Sequence, residues 1–346
     1  MKRKKDIRAK ILITGGAGYI GSALIGDALA CGYGVRCLDL LVYGKKSLAR
    51  FSNHPHFEFI RGDIRDERAL KKSLKNIDYV VHLAAIVGDL PCRAAPKSAV
   101  EINFKGTKLL AEAAKQFGIK RFVFASTCSN YGIVDSQKGA NENRELNPIS
   151  LYAETKIDSE QFLKSLSDKH FSVTSLRFAT GYGISPRTRF DLLINSFAYE
   201  AWAKNEIVIF AADTWRPYIH VSDMCLIIRK VLEAPLEKVG GEIFNAGCNS
   251  QNYMKRDVIE ILKKNMPQLR AKYIDSVDDR RNYKVNFDKL EQTINFRPSR
   301  SIEYGFKELM HHFKHGLLTE DDFKTNKLEA LEKFFEEKEK VLKNKI

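Results

Sequence analysis

The sequence predicts an α/β fold: a doubly wound parallel sheet with a smaller, interleaved C-terminal α/β lobe. Three observations carry this expectation. Short apolar runs alternate with helix-period patterns through the first half of the chain. A glycine-rich turn follows the first of those runs directly. After roughly residue 180 the rhythm changes to shorter strands mixed with helices.

Taken in order, Lys10-Ile11-Leu12-Ile13-Thr14 reads as a buried strand, residues 18–30 as a helix and Gly34–Asp39 as a second strand. Phe57–Arg61 is a third strand, closed by the turn Gly62-Asp63-Ile64. Tyr79–Leu83, Arg121–Ser126 and Val173–Phe178 read as the fourth to sixth, with helices over 66–75, 98–117 and 150–169. Several of these strands are apolar without alternation, so helices must cover both faces of the sheet. Further strands at 207–210, 217–221, 242–245 and 272–274 mix with helices at 190–203, 222–233, 254–264 and 301–314. The expected organisation is a basic tail (1–8), a sheet domain (9–180), a mainly substrate-binding lobe (181–315) interleaved with it, and a charged tail (316–346). In that last tail Leu328, Leu331, Phe335 and Leu342 lie at helical spacing.

Composition excludes several classes. With 44% hydrophobic and 29% charged residues there is enough apolar side chain for a core, so disorder is not the main state. The 21 Gly and 9 Pro show no period. The net charge of +14 is densest at Lys2, Arg3, Lys4, Lys5, Arg8 and Lys10, which we read as a solvated arm rather than a nucleic-acid site. The six cysteines form no C-x-x-C pair, so we expect reduced thiols, no metal and a cytoplasmic protein. Apolar residues 11–31 after a basic start imitate a signal peptide, but five glycines and Asp27 interrupt them. No membrane span is expected. His311, His312 and His315 are read as a helix surface.

The glycines have a better explanation. Gly15, Gly18 and Gly21 sit at three-residue spacing between the first strand and the first helix, which Tyr19 and Ile20 open. Glycine lets backbone approach a pyrophosphate, and the helix N-terminus offers N–H groups to it. This is the fingerprint of a Rossmann-like dinucleotide site. Asp39 ends the second strand, where a carboxylate bonds ribose hydroxyls and repels a 2′-phosphate, so NAD is the expected cofactor. Arg36 should point to the opposite face. Asp63, with Ile64, is placed to meet the adenine edge; capping the 66–75 helix is the alternative.

Tyr152 and Lys156 stand at i and i+4 on one helix face. An ammonium beside a phenol favours the phenolate, which can take a proton from a substrate hydroxyl. The fifth strand ends in Ser126-Thr127-Cys128-Ser129, and Thr127 could hold that hydroxyl and relay its proton.

These motifs, with His82-Leu83-Ala84-Ala85, Asn103, Tyr131-Gly132 and Arg216-Pro217-Tyr218-Ile219-His220-Val221, resemble the extended short-chain dehydrogenase/reductases of the nucleotide-sugar epimerase/dehydratase family over about residues 9–315. The resemblance implies that Leu83, Ala84 and Ala85 line the NAD ribose, that Lys156 also binds the nicotinamide ribose, and that Phe178 borders the nicotinamide. It makes Asn103 and Ser126 cofactor contacts and Arg216 the grip on the nucleotide diphosphate. Arg281 is a second such grip, with Arg280 an equal candidate by spacing. A homodimer through a four-helix bundle of the 98–117 and 150–169 helices is also implied.

Dehydratases that resemble this chain place Asp-Glu directly after the threonine; here Cys128 and Ser129 stand there. What remains is oxidation at carbon 4, giving a 4-epimerase or a 4-dehydrogenase. Pro186-Arg187-Thr188-Arg189-Phe190-Asp191 and Ile86-Val87-Gly88-Asp89 resemble a subgroup that includes GDP-heptose 4-dehydrogenases, beside UDP-galactose 4-epimerases. Val87, Thr127, Arg187, Arg189 and Asn195 are therefore candidate substrate contacts; for the arginines, ion pairs with Asp191 are the alternative. The rival reading is a non-catalytic NAD-binding regulator or RNA-binding protein, against which the intact Tyr152, Lys156 and Thr127 argue.

Overall fold

The computed structural model describes residues 7–134, 139–275, 281–324 and 334. Strand β1 (Lys10–Thr14) leads to helix α1 (Tyr19–Ala30), β2 (Gly34–Asp39), β3 (Phe57–Arg61), α2 (Glu67–Leu74) and β4 (Tyr79–His82). Two short helices, α3 (Asp89–Ala94) and α4 (Pro96–Val100), run through a π turn (Glu101–Gly106) into α5 (Thr107–Gln116). Then come β5 (Arg121–Thr127), a 3-10 turn (Cys128–Tyr131), α6 (Leu151–Leu166), β6 (Ser172–Phe178) and β7 (Thr180–Tyr182). The remainder is α7 (Leu193–Lys204), β8 (Glu206–Phe210), β9 (Trp215–His220), α8 (Val221–Glu233), α9 (Leu236–Val239), β10 (Ile243–Ala246), β11 (Asn252–Met254), α10 (Lys255–Asn265), β12 (Arg270–Ile274), α11 (Asp288–Ile294), α12 (Ile302–Lys314) and α13 (Glu320–Lys324).

Seven strands form one sheet in the order β10-β6-β5-β4-β1-β2-β3, and every pairing described within it is parallel. The order reverses at β1 and β4, the switch point where loops at the strands' carboxyl ends part and admit a ligand. Smaller sheets follow the orders β11-β9-β7 and β12-β8.

The chain divides into two compact units. The first takes the described residues up to Phe124 and Ser150–Thr174. Its core packs Leu12, Leu38, Val80, Phe122 and Phe124 from the strands against Leu70, Leu110, Ala114 and Leu163 from the helices. The second takes the described residues of 125–149 and 175–324. Its core gathers Ile207, Ile209 and Tyr218 with Ile194, Phe197, Phe306, Leu309 and Phe313.

Local chemistry sets the boundaries. Asp66 caps α2 by accepting from the amides of Arg68 and Ala69, and Ser150 caps α6 by accepting from Ala153. Arg36 leaves β2 on the face away from Asp39. It pairs with Glu58 at 2.7 Å and donates to the carbonyls of Ser73 and Lys75 at the end of α2, where cations are favoured. The structure departs from the sequence pattern in three places. The 98–117 helix carries the π turn, short α3, β7, α9, β11 and α11 went unpredicted, and β10 joins the large sheet beside β6. A four-residue strand carries no local sign of which sheet it will complete. Apart from Glu320–Lys324 and residue 334, the expected helix of the C-terminal tail lies outside the described residues, as do Arg280 and most of the basic N-terminal arm.

Candidate active site

The first unit presents two loops at the switch point. Gly15 adopts φ +71, and a Cβ there would lie 2.7 Å from the Ala84 backbone nitrogen. The loop after β1 and the loop after β4 therefore touch through a position only glycine fills without strain. Gly21 is equally constrained: its Cβ would sit 2.3 Å from the Gly15 carbonyl oxygen. Gly18 is different, because a Cβ there would meet only that same oxygen, at 3.1 Å. The space it leaves lies at the start of α1, where no side chain caps the helix and no acid occupies the first turn. Such a terminus favours an anion. Gly15→Ala is expected to cost about 1–3 kcal/mol through the forced left-handed backbone alone, and to loosen NAD. An unchanged melting temperature in that variant would remove this argument.

Asp39 accepts from the Ala17 amide at 2.9 Å and the Leu41 amide at 2.7 Å, so its carboxylate is locked to the glycine loop. Asp63 is held in a two-pronged pair by Arg65, at 2.7 and 3.0 Å, beside buried Ile64. Leu83, Ala84 and Ala85 are half-buried, and Val87 packs against the first core.

Beneath the loop after β4 lies a directed relay. The Thr107 hydroxyl donates to the Asn103 carbonyl at 2.6 Å, so toward His82 Nε2, 2.8 Å away, it can only accept. His82 Nδ1 must then accept from the Thr14 hydroxyl at 2.7 Å, and Thr14 Oγ1 accepts from the Ala84 amide. His82 is thus neutral and protonated on Nε2. Burial, then the Lys156 charge, push its pKa down to about 3.

Asn103, inside the π turn, accepts from the Ile86 amide at 2.8 Å and donates to the Ile86 carbonyl at 2.9 Å and to Thr155 Oγ1. Thr155 donates in turn to the Tyr152 carbonyl. The side chain of Asn103 thereby ties the loop after β4 to the first turn of α6. On that helix Tyr152 and Lys156 are both buried. Lys156 Nζ lies 4.5 Å from the Phe124 ring centre and 5.9 Å from that of Tyr152. Burial lowers the Lys156 pKa to about 8, partly opposed by Cys92 and Glu160.

The second unit holds the other predicted residues. Thr127 Oγ1 accepts from the Ser129 amide at 3.1 Å, and Ser126 Oγ accepts from Asn130 at 3.2 Å. Cys128 donates to the Arg177 carbonyl, and Phe178 is buried. Asn195 accepts from the Gly183 amide and donates to the Arg189 carbonyl, pinning the 183–189 loop. Arg189 forms a two-pronged pair with Asp191, while the Arg187 amide donates to Ser185 Oγ. Buried Arg216 donates through Nη1 to the Trp215 and Arg281 carbonyls. The structure thus brings Arg216 and Arg281 together and keeps Arg189 with its neighbour Asp191.

Two sets of contacts escaped sequence reasoning, those of the motif residue Tyr131 and those of Tyr283. Tyr131 Oη donates to Asn245 Oδ1 at 2.7 Å and accepts from Arg177 at 3.0 Å. Tyr283 Oη lies 3.3 Å from Ser129 Oγ. Partners this far apart in the chain leave no local signal. Among the described residues no group of three or more His, Cys, Asp or Glu could hold a metal ion, and no helix is long and apolar enough to cross a membrane.

Residues 11–247 match the NAD dependent epimerase/dehydratase family, and the chain belongs to that family. It is 29% identical to a dTDP-glucose 4,6-dehydratase of Actinoplanes sp., over 86% of this chain and 96% of that one. It is also 29% identical to the UDP-glucose 4-epimerase of Bacillus subtilis, over 73% and 81%. A solved UDP-glucuronic acid 4-epimerase from Bacillus cereus, in complex with UDP-glucuronic acid and NAD, superimposes with a TM-score of 0.79 at 26% identity, covering 88% of this chain and 99% of that one. NAD is the cofactor of the family, and the residues present fit it. The start of α1, capped by no side chain and free of acids in its first turn, suits a pyrophosphate, and an acidic Asp39 stands at the end of β2.

Proposed function

We propose that this protein oxidises carbon 4 of a nucleotide-diphosphate sugar and reduces it again on the other face, as a 4-epimerase serving surface-polysaccharide synthesis. The observation that carries the reading is the buried pair Tyr152 and Lys156 on α6, combined with Cys128 and Ser129 where an eliminating enzyme needs an acid and a base.

NAD, when bound, supplies the acceptor for the hydride that leaves carbon 4 and the donor that returns it. Tyr152 takes the hydroxyl proton as that hydride departs. Lys156 stabilises the anionic phenol and hydrogen-bonds the nicotinamide ribose. The Thr127 oxygen already accepts from the Ser129 amide, which leaves one lone pair and its own proton. Those are what a relay needs: a lone pair to receive the substrate hydroxyl and a proton to pass on. Asp39 receives the adenosine ribose, and Leu83, Ala84 and Ala85 line the cofactor from the strip that the His82 relay and Asn103 hold in place. Arg216, with Arg187 and Arg281, meets the diphosphate, for which planar guanidinium groups are suited.

The same reading makes the protein a cytoplasmic homodimer. Exposed Phe117, at the end of α5, supports an interface that uses this helix.

The test uses the protein as purified. Denaturation should release NAD, and a panel of UDP-, GDP-, CDP- and dTDP-sugars should yield a carbon-4 epimer by NMR with no net change in NADH absorbance. NADH accumulating with a 4-keto sugar would replace the epimerase by a 4-dehydrogenase. A 4-keto-6-deoxy product would overturn the argument from Cys128 and Ser129.

A further inference from the structure

Within the second unit, the segment 281–287 stitches together pieces of chain far apart in sequence. Asn282 bonds the Gly132 carbonyl and the Val134 amide through its backbone, and its side chain accepts from the Trp215 amide. The Tyr283 amide donates to the Trp215 carbonyl, and the Lys284 carbonyl accepts from Ala140. Lys284 Nζ stands 3.6 Å from the Trp215 ring centre.

Tyr283 lies at the middle of this strap and is buried. Two different functional groups meet it. The Arg216 guanidinium carbon is 5.3 Å from its ring centre, while its hydroxyl reaches Ser129 Oγ at 3.3 Å. Ser129 is the residue whose amide donates to Thr127 Oγ1. One side chain therefore joins the arginine read as the phosphate grip to the hydroxyl read as the proton relay. Burial keeps the phenol above its usual range and hence protonated, so it stays a neutral hydrogen-bonding partner.

We propose that Tyr283 is a positioning residue: its hydroxyl fixes Ser129, and through the Ser129 amide Thr127, while its ring carries Arg216. This rests on the carbon-4 reading above. The two halves of the side chain then separate in kinetics. Removing only the hydroxyl disturbs Thr127; removing the ring disturbs the seat for phosphate.

The test is made on the full chain with a nucleotide sugar that the wild type turns over, and by calorimetric titration with the corresponding nucleoside diphosphate. Tyr283→Phe is expected to lower kcat about tenfold, the scale of one lost buried hydrogen bond, with KM and diphosphate binding unchanged. Ser129→Ala should reproduce that loss, and the double variant should be no worse than either, as coupled residues require. Tyr283→Leu should in addition weaken nucleoside diphosphate binding about tenfold, on the scale of a lost cation–π contact and its packing. In a Thr127→Val background Tyr283→Phe should cost nothing further. Wild-type kcat in Tyr283→Phe, or a loss that adds in full to that of Thr127→Val, would overturn the proposal. Ser129→Ala carries the test if the tyrosine variants do not fold. A wild type that keeps NAD but converts no nucleotide sugar and binds no nucleoside diphosphate would instead sink the carbon-4 reading, and this inference with it.

Discussion

Tyr152→Phe should lower turnover by about 10²–10⁴-fold, the usual worth of a positioned acid–base group, while NAD stays bound. The change deletes one oxygen from a side chain that is already buried and sits on a helix fixed by the Ser150 cap and by Thr155. Its ring and the neighbouring Lys156 keep their places, so neither folding nor the cofactor site has reason to change. The loss belongs to proton transfer, and it should appear in kcat with little change in KM. Product formation by NMR and cofactor release on denaturation measure the two halves of the claim. Wild-type turnover in this variant would remove Tyr152 from the chemistry, whatever the fate of the fold.

Lys156→Met should abolish most turnover and yet stabilise the protein at neutral pH. A lysine with a folded value of about 8 against an ordinary 10.5 carries its charge into the interior at a cost. Below pH 8 both folded and unfolded chains hold the proton, and the whole penalty is present. Between about 8 and 10.5 the unfolded chain binds a proton that the folded one has lost, so stability rises with pH across that window. Above 10.5 nothing more is gained. A shift of this size corresponds to roughly 3 kcal/mol at most, and leaving Glu160 and Cys92 without a neighbouring cation takes back part of it. A gain of about 1–3 kcal/mol at pH 7 is expected, with the rise between pH 8 and 10.5 flattened. Denaturant melts of wild type and variant at pH 7 and 10.5 decide it: a less stable variant with an undiminished slope would contradict the argument. The enzyme would then be one that gives up stability to keep a cation beside its phenol.

The sequence made the large sheet legible because burial on both faces leaves long apolar runs, such as Ile11-Leu12-Ile13 and Tyr79–His82, between glycine and acidic turns. Tyr152 and Lys156 were legible because a helix converts a four-residue spacing into a shared face. Other parts depend on contacts that spacing cannot encode. Nothing around Asn103 announces the π turn, which turns its amide onto Ile86 and Thr155. Nothing near residue 283 reveals that it returns to residue 129. Arg189 and Asp191, two positions apart, were visible as a pair but not as a choice between each other and a ligand. Local rules reach as far as a turn of helix or a strand; beyond that, only the closed fold says which side chains meet.

The late arrival of β10 has a bearing on how the chain is made. All seven residues of β6 are buried, and its partner β10 does not leave the ribosome until the chain has been extended to Ala246. Until then a nascent protein presents a strand edge with a row of unmatched amides and carbonyls, the kind of template on which chains aggregate. A fragment cut after residue 180 would keep that edge permanently. Synthesis in the cell should therefore favour whatever shields β6 while residues 179–242 are being added, and the unit of expression for this enzyme is the whole sheet, not its first six strands.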